Sequence, residues 1–426
     1  MRPRPRLGLL GDHDFRHLFL ADTVSQVGSQ ITLLALPLVA VLALRADTFA
    51  VGALVACHTV AFLLIGLPAG AWVDRMRRRT VLIVSDLGRA VVLASVPLAW
   101  GLGVLGMPQM YVVAFTVGVL TVFFDVAYQS YLPHLVGRQH LAEGNARLEA
   151  VRGVSQVAGP TLGGVLVQLL TAPLAVLADA ASYALSALFL VRVRKRELRP
   201  ERAPGVRLRH EIAEGLRFVF GNRLLRAIAA SAATFNFFAG ITNAMLVVLL
   251  ATVLRLPAGT IGVFYSIAAA GGLAGALVAT RAVARFGQGQ TIWLSLLATG
   301  VFGLAVPLAQ RGWPLWGAAA GFGVSCAANV VYNVTQLSFR QGLTPERLLG
   351  RMNASMRFLV WGTMPLGGLL GGVLGQLLGP RAALWVAAVG ALLAVVPMVR
   401  SPLRTMRALP TLAETRPEGS VRAADR

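Results

Sequence analysis

Five acidic residues, Asp22, Asp86, Asp125, Glu149 and Asp179, lie inside stretches that are otherwise apolar, and all five fall in the first half of the chain. A carboxylate in a stretch long enough to cross a bilayer is costly, so it faces a partner or a watery cavity and is a candidate for function. Asp86 is followed three residues later by Arg89, and Glu149 by Arg152. At that spacing on a helix two side chains meet on one face, and each pair reads as a structural salt bridge. Asp22 and Asp125 have no basic neighbour at helical spacing. A carboxyl without a fixed cation can take up and release a proton as its surroundings change, which makes Asp22 and Asp125 the leading proton-coupling candidates, with Glu149 behind them. Asp22 also begins a stripe of Ser25, Gln26, Ser29 and Thr32 along one helical face, a pattern that lines water or substrate more often than lipid. Asp179 reads as a packing or gating acid, and His58 as hydrogen-bonded to a neighbour.

The second half carries a different chemistry. Asn236 and Asn243 share a helical face near Phe235, Phe237 and Phe238; Asn329, Tyr332, Asn333 and Gln336 form another stripe, and Trp361 and Met364 a further pair. Neutral amides beside aromatics suit an amphipathic organic molecule better than an inorganic ion. No phosphate-binding glycine loop, metal-ligand cluster or nucleophile triad occurs, so no cofactor or metal is expected and the chain does not read as an enzyme. Cys57 and Cys326 both sit in apolar runs and read as two free thiols.

The elements that must position these groups are long and apolar. Of 426 residues 56% are hydrophobic and only 13% charged, too few to cover a soluble protein of this size. Apolar runs of about 20 residues span a bilayer as helices. Twelve are expected, near 17–44, 49–73, 80–101, 108–134, 145–170, 172–194, 224–253, 257–281, 289–309, 312–339, 349–379 and 380–400. The net charge of +21 sits in short blocks between these runs rather than on a polar domain, which argues against nucleic acid. With both termini cytoplasmic, Arg45, Arg255, Arg311 and Arg381 fall in outer loops, Arg89 in a span, and the other basic residues on the inner side, as multi-pass proteins of the cytoplasmic membrane distribute them.

One long polar segment interrupts the spans. The organisation expected is a six-helix half over 1–192, a cytoplasmic linker over 193–222 with an amphipathic helix at Glu211 to Phe220, a second half over 223–401, and a disordered cytoplasmic tail over 402–426. An internal repeat supports the two halves. Asn145-Ala146, Gly159 and Leu162 to Leu170 recur as Asn353-Ala354, Gly367 and Leu370 to Leu378, always 208 positions later, with Tyr128 and Tyr332 similarly placed one helix earlier. Parallel halves place a substrate site between them near the midplane.

The stretch Gly70 to Leu82, GAWVDRMRRRTVL, is a basic turn between two spans. It resembles motif A of the major facilitator superfamily, with Gly70, Asp74, Arg75, Arg78 and Arg79 in register and Arg77 where the family usually has a second glycine. Gly159-Pro160-Thr161-Leu162-Gly163-Gly164 is similar to the end of motif C, associated in that superfamily with exporters that exchange substrate for protons, although Ser155 replaces its upstream glycine. Glycines at this spacing let backbones approach closely, and the proline predicts a bend. SDLGRA (Ser85 to Ala90), GNA (Gly144 to Ala146) and DAASY look most like the branch holding macrolide and siderophore exporters.

What the resemblance implies is an all-α membrane protein of twelve transmembrane helices in two pseudo-symmetric halves. It implies a monomer that exports an amphipathic small molecule in exchange for protons by alternating access, with Asp74 as a one-sided latch against the N-terminus of the eleventh helix. An uptake symporter or lysophospholipid flippase of the same fold, and a membrane sensor without transport, remain open.

Overall fold

The computed structural model describes residues 8–73, 75–195, 197, 208–345, 348–404 and 406. They form fifteen α-helices and no strand: α1 His13–Leu38, α2 Thr48–Val73, α3 Arg78–Gly101, α4 Met107–Val136, α5 Leu141–Leu170, α6 Ala172–Arg192, α7 Leu208–Gly221, α8 Arg223–Val248, α9 Ala258–Phe286, α10 Gln288–Gly303, α11 Pro314–Gly342, α12 Leu349–Trp361, α13 Met364–Leu378, α14 Pro380–Leu393 and α15 Val396–Val399. Among the described residues eleven helical stretches are long and apolar enough to cross a membrane. The twelfth is α10, whose 16 residues span about 24 Å at 1.5 Å per residue.

The two halves repeat in backbone detail. Asp12 caps α1 by accepting from the Asp14 and Phe15 amides, and Asn222 caps α8 by accepting from Leu224 and Leu225. Both helices then widen into a five-residue π turn, Val39–Ala43 and Leu249–Val253. Each turn ends on an arginine in the left-handed region, Arg45 (φ 49°) and Arg255 (φ 45°). A side chain is strained there, and both turns are tied by a matching hydrogen bond, Ala46 N–H to Ala40 O and Leu256 N–H to Leu250 O, each at 2.9 Å. Leu141–Leu170 and Leu349–Leu378 have the same length and the 208-residue offset seen in the sequence.

The helix limits differ between the repeats. Pro160 lies inside α5, which stays helical over all 30 residues. Its repeat partner is the one that breaks, between Trp361 and Met364, because Pro365 opens the first turn of α13 and cannot continue α12. The tenth crossing is also shorter than 289–309: helix ends at Gly303, and turns carry the chain to Ala309.

Because consecutive spans alternate in direction, the turns around Arg45, Gly103, Thr171, Arg255, Arg311 and Gly379 share one end of the bundle. Described residues near both termini, together with α7, lie at the other. Two of the turn arginines saturate carbonyls: Arg311 Nε donates to Leu254 O at 2.5 Å, and Arg381 donates to Pro307 O and Ala309 O at 3.2 and 2.9 Å. Among the described residues the amphipathic helix begins at Leu208, ahead of the expected Glu211, and it packs on α8 and α12.

Candidate functional site

The halves meet along two seams, both at the turn end. In one, α5 packs on α9: a Cβ added at Gly164 would lie 2.4 Å from Ala258 O, and one at Gly262 would lie 2.3 Å from Pro160 O. Thr161 adds hydrogen bonds to Ser266 Oγ, 3.2 Å from its amide and 2.7 Å from its hydroxyl, and Gln168 Oε1 accepts from Gly259 N–H at 3.1 Å. In the other seam α2 packs on α13, where a Cβ at Gly52 would lie 2.5 Å from Gly368 O and Thr48 Oγ1 donates to Gly372 O at 3.3 Å. Small residues make such close backbone contact possible. The motif C-like glycines therefore divide their labour: Gly159 and Gly163 pack on Gln30 and Ile31 of α1 within their own half, while Pro160 and Gly164 form the seam across halves.

Away from the seams a cavity of about 1120 Å³ opens between the halves. It is lined by α5 from the first half and by α8, α9, α10, α11 and α14 from the second. Glu149 and Arg152 are its charged residues; Gln156, Asn243, Asn329 and Asn333 supply amides, and Phe235 and Phe322 aromatic faces. Asn333 Nδ2 donates to Asn329 Oδ1 at 2.8 Å, one turn apart on α11.

The two ion pairs expected from spacing prove different in kind. Asp86 and Arg89 are buried in the first half and bonded to each other. Ser186 Oγ donates to the second Asp86 oxygen at 2.6 Å, and the Arg89 guanidinium donates to Tyr183 Oη at 3.3 Å while lying between the Phe124 and Tyr183 rings, 4.5 and 4.1 Å from their centroids. The pair is thus enclosed by side chains of the first half, with Arg89 Nε buried and without a hydrogen-bond partner. Glu149 and Arg152, 3.6 Å apart, instead expose 71% and 55% of their side chains to the cavity.

Asp22 is buried, 3% exposed, with Gln26 Nε2 at a long 3.5 Å and with Tyr128, Glu149 and Arg152 in electrostatic reach. Asp125 is half-buried, and among the described residues no hydrogen bond or ion pair reaches its carboxylate; Arg89, Arg152 and Arg357 lie in electrostatic reach. These carboxylates thus have basic company after all, across helices where sequence spacing cannot show it. Arg152 and Arg357 also join Arg89 among arginines within the membrane helices.

The polar stripe on α1 turns inward. Ser25 and Thr32 are buried, Ser25 bonding back to Asp22 O, and Ser29 shares a 2.8 Å hydrogen bond with Tyr183 of α6, so none of the three lines the cavity. Asp179 is fully buried and accepts from Ser182 Oγ at 2.9 Å, and His58 is hydrogen-bonded to the Ala114 backbone. On α8, Asn243 reaches the cavity whereas Asn236 bonds back to Ala232 O at 2.9 Å. On α11, Asn329 and Asn333 line the cavity, but Tyr332 is 2% exposed in the core beside buried Gln336. Trp361 lies outside the lining, its ring 5.2 Å from that of Phe62 of α2 and tilted 37° to it. Gln156 also lines the cavity and is legible in the sequence: it lies four residues after Arg152 and seven after Glu149 on the same face.

In the motif A turn, Asp74 lies outside the described residues. Arg79 caps the end of α6, Nε to Leu190 O at 3.1 Å and Nη2 to Val191 O at 2.5 Å, and Arg78 lies 4.0 Å from Glu197. Arg75 is exposed, and a Cβ at Gly70 would touch nothing within 4 Å. The first turn of α12 is met by α7: Glu214 pairs with Arg351, and Gly215 lies against the Arg351 carbonyl.

The Major Facilitator Superfamily profile matches residues 18–365. The multidrug efflux pump Tap of Mycolicibacterium fortuitum is 31% identical over 50% of this chain and 53% of its own length, so that match spans about half of the relative. The enterobactin exporter EntS of Citrobacter koseri is 26% identical over 96% of this chain and 98% of its own. Among solved structures, a bacterial homologue of the iron transporter ferroportin, in an inward-facing state, superposes with a TM-score of 0.72 at 19% identity, covering 91% of this chain and 98% of that one. A family profile over most of the chain, two repeated six-helix halves and a cavity between them agree: the chain belongs to the Major Facilitator Superfamily, with efflux transporters among its relatives.

Proposed function

We propose that this protein is a proton-coupled exporter of amphipathic small organic molecules, working by alternating access between halves 1–192 and 223–401 joined by 193–222. The observation that carries the reading is the combination of two glycine seams closing one end with a large cavity, lined by one ion pair, amides and aromatics, between the halves. Rocking the halves about the cavity would open the seams and expose the cavity to the other side. The excess of basic residues at the end bearing α7 supports placing that end, and both termini, in the cytoplasm of a cell membrane. The state described here is then open inward. Asp22 and Asp125, with Arg152 in reach of both, are the proposed proton-coupling groups, and Glu149 the third candidate. The protein works as a monomer, with substrate and protons as its only partners besides lipid.

Everted membrane vesicles test this. Acidifying their interior should drive accumulation of an amphipathic fluorescent dye that is lost when the proton gradient is collapsed. Dye accumulation in right-side-out vesicles instead would identify uptake, and saturable binding without flux a sensor; either result removes the export reading.

A further inference from the structure

The cavity holds one charged pair among otherwise neutral walls, and the pair is loosely kept. Glu149 Oε1 and Arg152 Nη1 are 3.6 Å apart on adjacent turns of α5, with most of both side chains exposed. The buried Asp86–Arg89 pair, by contrast, is enclosed by Ser186, Tyr183 and Phe124. Facing α5 are Asn243, Asn329 and Asn333 with Phe235 and Phe322.

We infer that Glu149 and Arg152 form the polar anchor of this cavity and that it takes zwitterionic amphiphiles, molecules with an ammonium and a carboxylate a few ångströms apart on an aromatic or alkyl body. The inference rests on the cavity being the ligand site of the proposed function, whether or not bound ligand is moved. An exposed ion pair contributes little to stability, so it opens at small cost. A zwitterion entering it replaces one pair by two, ammonium on Glu149 and carboxylate on Arg152, and adds no net charge to a chamber with largely apolar walls. A purely cationic ligand satisfies Glu149 and takes Arg152's ion-pair partner; a purely anionic one does the reverse. Either exchanges one ion pair for one, so it gains less than the zwitterion, which exchanges one for two. Asp22 and Asp125 in electrostatic reach of Arg152 keep it from acting as an isolated cation, so a net anion gains less there than a zwitterion. The amides and aromatic faces opposite then hold the body of the molecule.

Three matched fluorescent probes separate these cases: Nε-dansyl-lysine (zwitterion), its methyl ester (cation) and its Nα-acetyl derivative (anion). Binding is measured by dansyl fluorescence on the purified full chain in lipid nanodiscs, without flux, so a chain that binds but does not transport leaves this inference standing and removes only the export reading. The wild type should bind the zwitterion at least tenfold tighter than either relative. Glu149→Gln should erase the advantage over the acetylated probe, and Arg152→Gln the advantage over the ester. Binding of all three probes by the wild type within threefold of one another, no saturable binding of any, or an unchanged order of preference in both variants overturns the assignment.

Discussion

The seams make a prediction that can be worked from distances. A methyl group at Gly164 would sit 2.4 Å from Ala258 O and 3.1 Å from Gly262 Cα, where ordinary contact begins at 3.4 Å. In Gly164→Ala, α5 and α9 must therefore separate by roughly 1 Å, and overpacking of this kind costs about 1–3 kcal/mol. In the proposed cycle the contact exists only while the turn end is closed, so the cost falls on one state and shifts the rocking equilibrium about 5- to 150-fold toward the other. Gly52→Ala, at 2.5 Å from Gly368 O, should act alike on the second seam. Gly367→Ala is the control: its Cβ meets Phe237 O of α8 within the same half, so it should lower stability in both states and leave their ratio alone. The assay is the labelling rate of Asn333→Cys in the cavity, in a background with Cys57 and Cys326 replaced by serine, using an impermeant maleimide applied from the end bearing α7. The rate should fall severalfold or more in Gly164→Ala and Gly52→Ala. Rates within twofold of the parent in both, at normal expression, would refute the idea that these glycines hold the closed seam.

Asp22→Asn or Asp125→Asn should abolish proton-driven accumulation while leaving substrate exchange down its own gradient; unchanged active transport in both variants and in the double variant would exclude these carboxylates. Asp74→Asn should slow transport and raise labelling of Asn333→Cys from the α7 end, because a carboxylate near a helix N-terminus is favoured by about 0.3–1 kcal/mol; unaltered accessibility would remove the latch. Asp86→Asn strands Arg89 in the core and should destabilise by about 3–5 kcal/mol in thermal unfolding, whereas Glu214→Gln, which frees a part-exposed pair with Arg351, should cost about 1 kcal/mol or less.

The number, order and approximate limits of the membrane helices were legible because an apolar run of about 20 residues has few other uses, and the 208-residue repeat located the second half. The site was legible only along single helices. Spacing paired Glu149 with Arg152 and Asn329 with Asn333, and both pairs reach the cavity together. It equally grouped Tyr332 with Asn333, although a helix between a cavity and a core shows its neighbours opposite environments. Cross-helix relations, such as Arg357 of α12 near Asp125 of α4, leave no trace in one sequence. The break at Pro365 was visible in principle and was overshadowed by Pro160, which α5 absorbs without interruption.

The repeat also bears on the proposed role of the charges. Aligning the helices by their starts sets Asp22 against Ala232, Asp86 against Leu296, Asp179 against Ala387, and Glu149 against Arg357. Ala232, Leu296 and Ala387 are buried as deeply as the acids they face, 5%, 0% and 1% exposed. The same backbone, twisted through the same π turn and cut by the same glycine seams, thus packs with small apolar groups at those positions, so the fold does not demand carboxylates there. Buried charge is seldom favoured over a well-packed apolar residue. The first half carries acids at these four positions and the second carries none, and at Arg357 the sign is reversed, with Asp125 in electrostatic reach. The helical framework is duplicated and its acids are not, which is the arrangement expected if, as proposed, protonation biases one half against a neutral partner.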